Sequence, residues 1–167
     1  MRTILYLLFG LTIIFAQAAC SPTNHGPSSG TTVESDEAPK GNTVKENKVI
    51  PIRIIVGGST FTATLNNNET TQALVAQFPM TLQMNELNGL EKYNDLSEAL
   101  PSASPERPAT IHAGDIMCWS GNTLVLFYHT FSNSYDGYVP LGSVDDPANL
   151  AAALGSGSVQ VTWSLAE

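Results

Sequence analysis

Beyond residue 48 the chain is written largely in the two-residue period of strands, in which alternate side chains face opposite sides of a sheet. VIPIRIIV (49–56) and STFTATL (59–65) are two such runs, rich in β-branched residues, and Gly57-Gly58 between them is the two-residue connection of a tight hairpin. Phe61, Ala63 and Leu65 share one face of the second run. MTLQMNEL (80–87) alternates again and reaches Asn88-Gly89, the strongest short hairpin signal in the chain, so Glu91 to Tyr93 begin a return strand. Two further strands, about 115–119 and 123–129, flank the turn Ser120-Gly121-Asn122, and their continuous apolar character predicts burial inside a barrel. YVPLGSV (138–144) and SVQVTWSL (158–165) follow, the second with Val159, Val161 and Trp163 on one side.

Helical signals interrupt this pattern twice. Asn68 is placed to cap a short helix from Glu69 to about Phe78, with Ala73, Leu74 and Phe78 inward and Pro79 ending it. Asp146-Pro147 opens a second helix that runs through Leu154 and stops at Gly155. Three prolines between residues 101 and 108 mark a surface loop. Eight strands and two short helices predict a mainly β fold, a closed or nearly closed antiparallel eight-stranded barrel with two short capping helices, one over each mouth. Closure removes the unpaired edges that so many short strands would otherwise expose. A β-sandwich with peripheral helices is the alternative arrangement.

The first 47 residues belong to a different regime. Arg2 precedes a 13-residue apolar run, Ile4 to Ala16, followed by Gln17, Ala18, Ala19 and Cys20, which is the layout of a secretory signal over residues 1–19. The run is short of the roughly 20 residues that span a bilayer, which disfavours a permanent transmembrane helix. FAQAAC resembles a bacterial lipobox, in which the thiol after two small residues is acylated and becomes the mature N-terminus; Gln17 stands where that pattern has an aliphatic residue. Lipidation at Cys20 is the expectation, with membrane attachment through the acyl chains, and an ordinary signal peptide cut near Ala19 is the alternative. Ser21 after the cysteine, by the known sorting rule, suggests the outer membrane in a Gram-negative cell. Residues 20–47 form the lipidated cysteine and a tether, since 21–47 lack Leu, Ile, Met and aromatic residues and cannot bury enough apolar area to offset chain entropy. A coil of that length spans roughly 30 Å. Residues 48–167 form the folded domain.

Charge narrows the choice of partner. The 167-residue chain has 7 basic and 15 acidic residues, a net charge of −8, and its basic residues are not clustered, so no nucleic acid partner is expected. The folded domain has four basic and eleven acidic side chains. If Cys20 carries lipid, Cys118 has no intramolecular disulfide partner; in the apolar run DIMCW it reads as a buried, inert thiol.

No motif specifies a reaction, and candidate chemistry is confined to three clusters. His112, Asp115 and His129 approach one another if the strands at 115 and 129 pair, a set that suits a divalent metal or proton transfer. No further ligand stands at a recognised spacing, so Asp115 is read as a turn-fixing residue, and no metal and no cofactor are expected. Glu86 and Glu91, with Asn85 and Asn88, surround the Asn-Gly turn, where carboxylates are ordinarily solvated. Tyr128, Phe131, Ser134, Tyr135 and Tyr138 are the candidate ligand-binding residues: aromatics interspersed with polar residues suit a groove at a barrel mouth, while Tyr128 and Phe131 equally suit the core.

HAGDIMCWSGNTLVLFYHTF, preceded by QMNELNGLEKYNDL and followed by SNSYDGYVPLGSV, resembles the bacterial cyclophilin-like domain. The resemblance rests on Gly114-Asp115, Trp119, Gly121-Asn122, the strand Leu124 to Tyr128, Ser134-Tyr135 and Leu141-Gly142, and it implies a cyclophilin-type barrel. Cyclophilin isomerases use an Arg in an F-x-R arrangement within an aromatic groove. Neither Arg53, alternating in a strand, nor Arg107, between Glu106 and Pro108, stands in that arrangement, so no catalytic residue is assigned. The leading expectation is an envelope-tethered, non-catalytic binding module for a small molecule or extended peptide. A prolyl isomerase-like folding factor for exported proteins and an accessory domain to a flavodoxin-type redox system are the alternatives the resemblance admits.

Overall fold

The computed structural model describes residues 49–101 and 104–167; the expected signal segment, Cys20 and the tether lie outside the described residues. Strands β1 (Ile50–Val56) and β2 (Ser59–Leu65) form the first hairpin, α1 (Glu69–Val75) follows, and β3 (Met80–Leu87) turns into β4 (Glu91–Asp95). Then come β5 (Thr110–Ile111), β6 (Asp115–Trp119), β7 (Thr123–Phe127), β8 (Phe131–Ser132), β9 (Tyr138–Val144), α2 (Leu150–Leu154) and β10 (Val159–Leu165). Eight strands close an antiparallel barrel in the order β1-β10-β3-β4-β7-β6-β9-β2, while β5 and β8 pair with each other. The barrel strands are the eight that the sequence patterns predict. At the β3–β4 turn, Asn88 (φ 56°) and Gly89 (φ 70°) both take the positive φ that a type I′ hairpin requires.

Alternation also decides what fills the barrel. Ile52, Ile54, Ala63, Leu65, Met84, Ile116, Leu124, Leu126, Leu141, Val161 and Trp163 form one buried cluster. Cys118 belongs to it as a free thiol, and burial pushes its pKa up. β7 is buried at every position for a reason beyond barrel closure. Leu124 and Leu126 enter the interior, whereas Val125 and Phe127 join Ile111, Met117 and Tyr138 in a second cluster outside the wall, beneath the β5–β8 ribbon. A strand covered on both faces loses its polar alternation.

The helices sit at opposite ends of the barrel. α1 joins the Leu65 end of β2 to the Met80 start of β3, and α2 joins the Val144 end of β9 to the Val159 start of β10; Leu74, Leu150 and Leu154 pack into the main core. Asn68 caps α1 as predicted, accepting from the Thr71 N–H at 2.9 Å. The helix ends at Val75 rather than near Phe78, because the N–H groups of Gln77 and Phe78 bond three residues back and tighten the chain before Pro79. Its buried residues are Thr70, Thr71 and Leu74; Ala73 and Phe78 are only partly buried against the core. Thr71 is satisfied there by Asn68 Oδ1 at 2.7 Å and Thr70 donates to the Pro101 carbonyl at 2.6 Å, which makes two hydroxyls tolerable inside. α2 begins at Leu150, later than predicted: Asp146 accepts from the Ala148 N–H at 3.1 Å in a preceding turn, with Asn149 in the cap position. β7 likewise ends at Phe127, two residues early, and His129 is exposed.

The β2–β9 seam is short, pairing Ala63–Leu65 with Gly142–Val144, and it is tight at Gly142. A Cβ there would lie 2.2 Å from the Thr64 carbonyl oxygen and 2.7 Å from Leu65 Cα, both backbone atoms. Gly142→Ala should therefore destabilise the domain by about 3 kcal/mol or more, read as a fall in the urea midpoint, since relief requires the two strands to move apart. An unchanged midpoint would refute this account of the seam.

Candidate functional site

The outer face of β4, β7, β6 and β9 carries the second apolar cluster, and the β5–β8 ribbon covers only part of it. The remainder is a half-open groove of about 330 Å3, lined by Tyr93, Val125 and Thr123 from the wall, Trp119 and Tyr138 at one side, and Phe131 and Tyr135 from the ribbon and its following loop. Leu87, Asn88, Leu90 and Glu91 line it from the β3–β4 hairpin. The local cause is register: Tyr93 lies opposite Val125, Glu91 opposite Phe127, and Trp119 opposite both Thr123 and Tyr138, so period-two alternation turns these side chains outward together. The groove is therefore in the barrel wall, whereas the sequence pointed to a mouth; α1 and α2 pack at the two ends.

The loop that overhangs the groove is held by specific bonds. Asn133 donates to the Pro108 carbonyl at 2.9 Å and the Tyr135 carbonyl at 2.7 Å, and accepts from the Tyr135 N–H at 3.0 Å. The proline-bearing segment expected as a plain surface loop is a strap: Glu106 and Tyr138 exchange two backbone hydrogen bonds, at 2.7 and 3.2 Å. Trp119 donates its indole N–H to the Asp136 carbonyl at 3.0 Å, and Asp136 also accepts from Arg107 at 2.9 Å in an exposed ion pair. Trp119 and Tyr135 nonetheless keep 44% and 71% of their surface exposed, large aromatic areas left open to a partner.

Of the candidate ligand-binding residues, Phe131, Tyr135 and Tyr138 line the groove. Ser134 is exposed and outside the lining, and Tyr128 belongs to the main core. Tyr128 donates to Glu86 at 2.7 Å and takes part in a network around Lys92. Lys92 is wholly buried and forms an ion pair with Glu86; it also donates to the carbonyls of Gly155 and Gly157 at 2.8 and 2.7 Å, tying the segment after α2 to the barrel. Its ammonium lies 5.3 Å from the centre of the Tyr128 ring.

The carboxylates of the β3–β4 hairpin are therefore not simply solvated. Burial pushes Glu86 up, but Lys92, the Tyr128 hydroxyl and the Gly89 N–H bonded to it more than compensate and hold it below the usual carboxylate range. Glu91, on the opposite face of the same ribbon, has no hydrogen-bond or ion-pair partner among the described residues. Burial, reinforced by the Glu86 charge, pushes it up to about 7. The Tyr138 hydroxyl is pushed up to about 12 by burial, then by Glu91 and Tyr135.

Asp115 fixes the turn assigned to it, accepting from the His112 N–H at 2.8 Å. His112 Nδ1 stands 3.8 Å from the same carboxylate and is exposed, and His129 leans on Tyr128 at 4.9 Å between ring centres. Among the described residues no group of three or more His, Cys, Asp or Glu side chains is arranged to hold a metal ion. The groove residues that sequence reading missed are Leu87, Leu90, Tyr93, Trp119, Thr123 and Val125, while Asn88 and Glu91 stood out only as part of the cluster around the Asn-Gly turn. For Glu91, Tyr93 and Trp119 the signal was the second phase of alternation in EKYND and DIMCW, opposite to the core phase.

Glu91 gives the site a measurable signature. It titrates near 4.5 ordinarily and near 7 in the folded domain, so between those values the native state holds a proton that the unfolded chain has lost. Stability should decline across that window as pH rises and level off above it. Glu91→Gln should exceed the parent in urea stability at pH 8 by on the order of 1 kcal/mol, less than the full shift because water screens the half-open site, and match it at pH 4. A parent–variant difference independent of pH would contradict this electrostatic assignment.

A profile of the cyclophilin-like family matches residues 54–164 of the chain. The solution structure of a hypothetical protein from Archaeoglobus fulgidus is similar, with a TM-score of 0.58 at 16% identity, over 74% of this chain and 100% of the other. That likeness concerns the fold alone. No functionally curated protein matches the chain significantly.

Proposed function

The chain belongs to the cyclophilin-like family, and on that footing we propose that its domain is a binding module held at the cell envelope, taking a small molecule or a short extended peptide into the groove of its outer wall. The observation that carries the reading is the groove itself: about 330 Å3 of concave space, lined by five aromatic side chains and few polar groups, at a place where the fold could have completed its second apolar layer. Tyrosine and tryptophan give large contact areas and a polar edge, the combination found where ligands dock. No arginine lines the groove, so an isomerase reading finds no counterpart there of the cyclophilin guanidinium. Placement at the envelope rests on the Arg2 to Cys20 segment, with Cys20 as the lipid-bearing residue.

Tyr135 is exposed enough to truncate without disturbing the core. Ligands from a thermal-shift library should quench or shift Trp119 fluorescence, and Tyr135→Ala should weaken the hits by about tenfold, or 1.4 kcal/mol. Undiminished affinity of every hit for the variant would remove the groove from consideration. Separately, mass spectrometry of the mature protein should find acyl mass on Cys20 as the first residue; a free alanine or an uncleaved Met1 excludes the anchor.

A further inference from the structure

We infer that the groove receives an organic ammonium ion, its positive head beside Glu91 and its apolar body against Val125 and the rings of Trp119, Tyr135 and Tyr138. The inference rests on the groove being a ligand site. It adds the ligand's charge and direction. Glu91 is the only ionisable carboxyl among the lining residues, and every other titratable group lining the groove is a tyrosine. A carboxyl withdrawn from water with no partner stays neutral or takes a cation, and an incoming ammonium supplies the missing counter-ion. Aromatic faces reinforce the choice, because their negative quadrupoles attract cations and disfavour anions.

Among the described residues no charged group is placed to fill this role. The nearest ammonium, that of Lys92, is on the opposite face of β4 and already engaged by Glu86, Gly155 and Gly157, while Arg107 is paired with Asp136 outside the lining. The titratable groups around Glu91 are Glu86 on β3, Lys92 and Tyr93 on β4, Tyr128 after β7, Tyr135 on the overhanging loop and Tyr138 on β9. Glu86 is the negative neighbour, and a bound cation relieves its repulsion of Glu91 as well. The net charge of −8 favours the approach of the same ligand.

Length follows from the strand register. Glu91 is opposite Phe127 and Trp119 is opposite Thr123, so the acidic and indole ends of the groove are four residues apart along β7, or roughly 13 Å. An alkylammonium with one aromatic or branched apolar end spans that distance. The same chemistry occurs in a free amine and in a lysine side chain of a peptide.

The test is a matched pair, 4-phenylbutylamine and 4-phenyl-1-butanol, titrated into the full chain while the Trp119 indole N–H is followed by NMR. The amine should bind at least about tenfold more tightly than the alcohol at pH 8, an advantage that shrinks as pH falls through 7 and Glu91 takes up its proton. Glu91→Gln should abolish the advantage and leave alcohol binding in place. An N-acetylated lysine–phenylalanine dipeptide amide and its norleucine analogue distinguish the sources: a lysine preference assigns peptide, and its absence beside a strong amine preference assigns a free amine. Equal binding of amine and alcohol in the groove, or an amine advantage that survives Glu91→Gln, overturns the cation inference and leaves the groove reading standing. Alcohol binding that strengthens in acid would instead make Glu91 a hydrogen-bond donor, which also overturns it. If neither probe perturbs Trp119, both readings fall.

Discussion

One wall of this barrel has to be covered twice. β7 is apolar on both faces, and its partner β6 and the next strand, β9, add Met117 and Tyr138 to the outside while Ile116, Cys118 and Leu141 go inward. The interior face is satisfied by closure of the barrel. The outer face needs a second layer, because a contiguous apolar patch left in water is a liability. The β5–β8 ribbon provides it with Ile111 and Phe131, and Phe127 meets both Phe131 and Tyr138 at 5.8 Å between ring centres. The groove is what this cover leaves open. Its aromatic character is thus a continuation of the packing layer rather than a separate construction.

The same alternation separates two carboxylates of the β3–β4 hairpin into different electrostatic settings. Glu86 meets a buried ammonium, a phenol and a backbone N–H; Glu91 meets rings and aliphatic surface. Coulomb attraction and hydrogen bonding favour the charged form of the first, while loss of water disfavours that of the second. Lys92 joins the two settings, since its removal from the groove face is what leaves Glu91 uncompensated. Its bonds to Gly155 and Gly157 also link the hairpin to the end of α2. The chemistry of the groove and the closure of one barrel end therefore share a residue.

The cyclophilin-like family supplies the barrel, and a barrel of this kind does not itself determine an activity. The groove belongs to the outer layer: a strap from Glu106 paired with Tyr138, a loop pinned by Asn133, and Trp119 anchored on the Asp136 carbonyl. These bonds hold the groove aromatics on a rigid wall, so a ligand would meet a largely preformed surface and forfeit little energy to ordering it.

Much of the fold was legible in the chain because its signals are local. Alternating or continuous apolar runs and the turns between them marked the eight barrel strands, Gly57-Gly58 and Asn88-Gly89 marked two hairpins, and Asn68 and Gly155 marked helix ends, each acting over a few residues. The candidate site was legible only in part: Phe131, Tyr135 and Tyr138 stood out as an aromatic cluster, whereas Tyr128 next to them turned into the core. What tertiary structure alone decided depends on pairings between distant segments. β5 and β8 are too short for any period to register, Lys92 is buried because Gly155 and Gly157 arrive from beyond α2, and Glu91 loses water because β7, β9 and the overhanging loop surround it. A residue's alternating phase determines which side of a sheet it takes, but only the completed barrel determines whether that side meets water, a core or a groove.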